Sequence, residues 1–120
     1  MKKVCVVTGG SSGIGLSIVK LFLENDYTVF NLDLSPSNFG DFRACDVSNS
    51  KQVNNIINEI TEHFAIDVLV SNAGIHFSAN IENTSDSDLS RVFDINVKGA
   101  YAAIKAVLPS MKVANSGSII

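Results

Sequence analysis

A short apolar run at residues 4–7 feeds straight into Thr8-Gly9-Gly10-Ser11-Ser12-Gly13-Ile14-Gly15, and apolar residues then recur at helical spacing. Ile14, Ile18, Val19, Leu21, Phe22 and Leu23 carry that second pattern as far as Asn25-Asp26. The continuous β-branched run predicts a strand covered on both faces, and the change of period predicts a tight turn into an amphipathic helix. Glycines at three points let the backbone turn sharply, approach a pyrophosphate and bring the helix close to the strand. The helix N-terminus then offers unpaired N–H groups and a partial positive charge to phosphates.

The same alternation continues along the chain. Residues 27–32 read as a strand ending at Asp33, followed by the loop Ser35-Pro36-Ser37-Asn38. A short strand over 42–45 leads to Asp46, and Ser48 or Asn49 is placed to cap a helix with Val53, Ile56, Ile57, Ile60 and Phe64 on one face. Residues 66–70 form the next strand, followed by Ser71-Asn72-Ala73-Gly74. From Ser85 to about Met111 the patterning is helical, with interruptions expected at Asn96 and Gly99. Asn115-Ser116-Gly117 closes that helix, and residues 118–120 look like the opening of another strand. Strand–helix–strand alternation with short loops predicts α/β architecture: a Rossmann-type, doubly wound parallel sheet with helices on both faces, incomplete at its C-terminal side. The 120 residues are read as one dinucleotide-binding domain, the N-terminal part of a longer one.

Composition narrows the partners. With 46% hydrophobic and 18% charged residues the chain is of globular type, and a net charge of −3 gives no basic field for nucleic acid. No apolar stretch is long enough to span a bilayer, and the start lacks a signal-peptide pattern, so a soluble cytoplasmic protein is expected. Cys5 and Cys45 have no metal-ligand or redox-motif spacing and are read as reduced core residues. Asp86, Asp88 and Asp94 invite a metal reading, but an acidic helix start explains the first two, and no metal site is expected. His63 is read as a helix-end residue and His76 as a neighbour of the site without a catalytic role.

Asp33 closes the second strand at the spacing from the glycines expected of a ribose-binding acid. Its carboxylate accepts from both ribose hydroxyls and repels a 2′-phosphate, while Gly10 and Leu34 bring no cation, so NAD is favoured over NADP.

These residues together resemble the short-chain dehydrogenase/reductase family. Residues 8–15 match its T-G-x-x-x-G-x-G signature, and Asn72-Ala73-Gly74 matches its N-A-G motif, with Ser71 where many members have a second Asn. Asp46-Val47 resembles the pair that flanks the adenine, and Asn96-Val97-Lys98-Gly99 resembles the segment carrying the tetrad Asn. The resemblance implies cofactor contacts from Thr8, Gly9, Ser11, Ser12, Gly13, Ile14, Gly15, Asp33, Asp46, Val47, Asn72, Ala73 and Gly74. It implies hydride transfer between the nicotinamide and an alcohol or ketone, with Asn96 holding a water in a proton relay. It also implies a homodimer or homotetramer. The tetrad Ser, Tyr and Lys are expected beyond Ile120. Tyr101 and Lys105 satisfy Y-x-x-x-K, but they follow Asn96 by little more than a turn and precede the strand expected to carry the Ser, so a structural helix is the preferred reading. A nucleotide-binding protein without catalysis is the alternative.

Overall fold

The computed structural model describes residues 1–120. Strand β1 (Val4–Thr8) is buried at all five positions, which its unbroken apolar sequence requires. It pairs in parallel with β2 (Thr28–Asp33) on one side and β4 (Val68–Ser71) on the other. Strand β3 (Asp41–Ala44) adds beyond β2, and β5 (Ser118–Ile119) beyond β4, giving the parallel order β3-β2-β1-β4-β5. This is the expected Rossmann-like arrangement, and the chain reverses its winding between β1 and β4.

Helix α1 (Gly13–Glu24) joins β1 to β2, and α2 (Ser50–Thr61) joins β3 to β4. Asn49 caps α2, its side chain accepting from the Gln52 N–H, and Val53, Ile57 and Ile60 bury one helical face. That helix ends earlier than its apolar period. Phe64 lies past its end, packed edge-on against Phe30, and His63 sits in the following turn instead of the last helical turn. Tertiary packing of one aromatic ring mimicked the continuation of a helical stripe. Strands β2 and β3 run parallel with no helix between them; residues 34–40 return along the α1 side of the sheet, where Lys20 lies 4.4 Å over the Phe39 ring.

After β4 comes a single 3₁₀ turn (Ile81–Asn83), then α3 (Asp86–Phe93), whose start is fixed by a reciprocal capping box between Ser85 and Asp88. A π-helical segment (Asp94–Lys98) leads without a break into α4 (Gly99–Ala114). The expected interruption at Asn96 is thus a widened turn, and Gly99 opens α4 instead of breaking it. Gly99 is buried against Val47, where a Cβ would stand 2.9 Å from Val47 Cγ2. Asn115, in the left-handed region at φ 50°, ends α4. No helix is long and apolar enough to cross a membrane.

Candidate functional site

The C-terminal ends of β1, β2 and β4 and the end of β3 converge where the winding reverses, the position at which parallel α/β sheets open a crevice. The crevice here measures ≈ 340 Å³. Gly9, Ser12, Ile14 and Gly15 form one wall, and Asp33, Leu34, Cys45 and Val47 a second. Asn72, Ala73, Gly74 and Ile75 form the third, with Arg91 and Ile95 reaching in from α3 and the π segment.

The glycine-rich turn holds α1 end-on to this space. A Cβ on Gly15 would collide with the Gly9 carbonyl, so the helix can start this close to β1 only with glycine there. Gly13 has φ +55°, and a Cβ built on it meets nothing within 4 Å. The Ser12 side chain makes no cap hydrogen bond, and the first turn of α1 has no acidic residue. The helix terminus therefore keeps its N–H groups and its partial positive charge available to an anion.

Two expected contact residues act from beneath. Thr8 is buried, and its hydroxyl oxygen accepts from the N–H groups of Asn72 and Ala73, both at 3.0 Å. The Asn72 amide in turn donates to the carbonyls of Thr8 and Gly9 at 3.2 and 3.0 Å. The end of β4 is thereby tied to the end of β1, and the N-A-G segment is held against the glycine turn. Asp46 does not line the crevice: one carboxylate oxygen accepts from the Ser48 N–H and hydroxyl, at 3.0 and 2.6 Å, in the turn preceding α2. Its neighbours Cys45 and Val47 supply the wall instead.

Asp33 is half-buried at the end of β2. One oxygen accepts from the Ser11 N–H at 3.0 Å and the other from the Ser35 N–H at 3.3 Å. Each oxygen keeps acceptor capacity, so the carboxylate can take hydroxyl donors from the crevice. Burial pushes the Cys45 thiol up to about 11, with Asp46 adding to the rise, so this wall residue is not a thiolate nucleophile at neutral pH.

Asn96 is set by the π segment opposite Ile75. Its amide accepts from the Ile75 N–H and donates to the Ile75 carbonyl, both at 2.8 Å. This pair pins the segment after β4 to the π segment that precedes α4. Tyr101 and Lys105 lie outside the crevice on the exposed face of α4, with the Lys105 ammonium 5.6 Å from the Tyr101 ring centroid. His76 is exposed and does not line the crevice. Sequence reasoning missed Asn31, Arg91 and Ile95. A lone Asn in a strand and a polar–apolar pair on a helix carry no local signal of what they face.

A family model for short chain dehydrogenase matches residues 3–120. The chain belongs to the short-chain dehydrogenase family. It is 38% identical to a 3-oxoacyl-[acyl-carrier-protein] reductase of Chlamydia pneumoniae, covering 99% of this chain and 53% of that relative. Among solved structures, the aldohexose dehydrogenase of Thermoplasma acidophilum superposes with a TM-score of 0.94 at 37% identity, over 98% of this chain and 48% of that one. ElxO with NADP bound superposes at 0.91 and 34% identity, over 99% of this chain and 54% of that one. The chain spans about half the length of the curated relatives it matches.

Proposed function

We propose that this chain carries the dinucleotide site of an NAD(P)-dependent oxidoreductase, which moves a hydride between a nicotinamide cofactor and a small alcohol or ketone. The observation that carries the reading is the bare N-terminus of α1 facing a crevice whose far wall presents the Asp33 carboxylate. The open space at Gly13 fits a pyrophosphate, and Asp33 fits the hydroxyls of an adenosine ribose. The cofactor supplies the hydride chemistry when bound. The chain's own residues hold and orient it: the start of α1 at 12–15 through backbone N–H groups, Val47 and Cys45 as an apolar wall, and Asn72–Gly74 as the wall facing it.

Asn96 enters as a positioning residue. Its two bonds to Ile75 orient the amide and leave one N–H and one acceptor lone pair free, so the side chain keeps the capacity to hold a relay water. The 120 residues are proposed to be the dinucleotide-binding portion of a longer domain, since the relatives run to about twice this length. The Ser, Tyr and Lys of the family's tetrad would come from the remainder. The exposed α4 face around Tyr101 and Leu108 would serve a homodimer or homotetramer. A cytoplasmic location would keep the free thiols of Cys5 and Cys45 reduced.

Asp33 favours NAD. A second reading, NADP, is favoured by Arg91, a cation in the crevice lining, and by a relative solved with NADP bound. Calorimetric titration with NADH and with NADPH separates them. Preferential NADH binding, weakened about tenfold by Asp33→Ala through loss of a charge-assisted hydrogen bond and abolished by Gly13→Val, supports the first reading. Preference for NADPH, lost in Arg91→Ala, supports the second. Failure of a folded sample to bind either dinucleotide rejects both.

A further inference from the structure

Asn31 sits in the middle of β2 and is fully buried, on a central parallel strand whose neighbours Val29, Phe30 and Leu32 are apolar. An apolar side chain is the default there, because an amide buried without partners is costly. Strand alternation turns Asn31 toward α1, and both ends of its amide are partnered. The Gly10 N–H donates to Asn31 Oδ1 at 2.9 Å, and Asn31 Nδ2 donates to Ser11 Oγ at 2.9 Å. A backbone N–H can only donate, which fixes which end of the amide is the oxygen. The contact depends on glycine: a Cβ at Gly10 would stand 2.6 Å from Asn31 Oδ1.

The bonds do not stop at Ser11. Its hydroxyl donates to the Ser35 carbonyl at 2.5 Å, and its N–H donates to one oxygen of Asp33. The Ser35 N–H donates to the other oxygen. One continuous set of hydrogen bonds thus runs from the interior of β2, through the glycine-rich turn, to both oxygens of Asp33.

We propose that Asn31, acting through Ser11, sets the discrimination between NAD and NADP by locking the Asp33 carboxylate in place; the inference rests on the dinucleotide reading above. A half-exposed carboxylate at a strand end can swing toward solvent and let a 2′-phosphate in. A carboxylate held at both oxygens is restrained from moving aside, which keeps its repulsion of that phosphate in place. Asn31 touches no cofactor atom in this account. It is a positioning residue, and its effect is read in the ratio of two affinities.

The test is calorimetric titration with NADH and with NADPH of the unmodified protein, Ser11→Ala, Asn31→Leu and the double variant, each checked for folding by circular dichroism. Ser11→Ala and Asn31→Leu are each expected to lower the NADH-to-NADPH affinity ratio about tenfold, and the double variant no further than the stronger single. In an Asp33→Ala background, Ser11→Ala should leave the ratio unchanged, since the lock then holds nothing. If Asn31→Leu does not fold, Asn31→Ser takes its place, and Ser11→Ala alone and in the Asp33→Ala background tests the Ser11 step. Equal weakening of both dinucleotides, an unchanged ratio in Ser11→Ala, or a ratio shift that persists without Asp33 overturns the inference while leaving the dinucleotide site standing. Absence of binding by the unmodified protein overturns the site itself and this inference with it.

Discussion

The face of the sheet covered by α2 and α4 holds a cluster of 15 buried residues, running from Val4 and Val6 through Phe30, Leu32, Ile57 and Ile60 to Met111. The face under α1 holds six: Cys5, Val7, Val19, Val29, Val68 and Val70. Alternation along the same strands feeds both, with Val4 and Val6 on one side and Cys5 and Val7 on the other. The difference lies in what covers them. On the first face Phe30, Leu32 and Leu69 of the strands meet Ile57 and Ile60 of α2, with Ala102, Ala103, Val107 and Met111 of α4 closing the layer. On the second, valines and a cysteine let α1 lie close, with buried Gly15 and Val19 at its inner side. The deep face anchors the fold. The shallow face brings a helix terminus, the glycine turn and the Asn31 network to the crevice.

The sharpest way to break that contrast is a pair of truncations. Ile57→Ala, in the deep core, is expected to cost about 2–5 kcal/mol in urea unfolding, the usual range for a buried Ile to Ala with a residual cavity. Val19→Ala, under α1, should cost less, ~1.5 kcal/mol for two methyl groups at roughly 0.8 each. Equal costs would mean that the two faces support the fold alike. Removing the α2 cap with Asn49→Ala should cost about 1 kcal/mol in the same assay, because it leaves the Gln52 N–H without its side-chain acceptor. A far larger loss would show that α2 depends on its cap more than on its buried face.

The last contrast concerns the buried thiols, one on each face of the sheet. Burial pushes Cys5 up to about 12, and burial with Asp46 pushes Cys45 up to about 11, from an ordinary 9.0. Both groups favour the neutral form when folded. Their contribution to stability is fully present below pH 9 and is lost as pH rises through 11 and 12. Cys45→Ala should therefore flatten the fall in stability between pH 9 and 11, and in native protein at pH 8 neither thiol should react with Ellman's reagent. Fast labelling of Cys45 under native conditions would mean that the crevice opens to its β3 wall.

Much of this was legible in the chain because the signals are local. The apolar run at 4–7, the glycines at 9, 13 and 15, and Asp33 at a strand end lie where their spacing places them. The parallel order follows from the alternation of short strands and helices. Phe64 misled because an aromatic residue one turn beyond a helix falls in the helical period while packing on Phe30 from a turn. Gly99 misled because a glycine required by the approach of Val47 looks the same in sequence as a breaker.

The succession of elements, the glycine turn between strand and helix, and a carboxylate at the end of the second strand can all be read from the chain alone, since each depends on residues within one element. What those residues touch is fixed by packing between distant parts of the chain. Thr8 meets Asn72 across 64 positions, and Asn96 meets Ile75 and Asn31 meets Gly10 across 21 each. A hydrogen bond between strands or across a turn is set by the register of the sheet, to which many distant residues contribute at once.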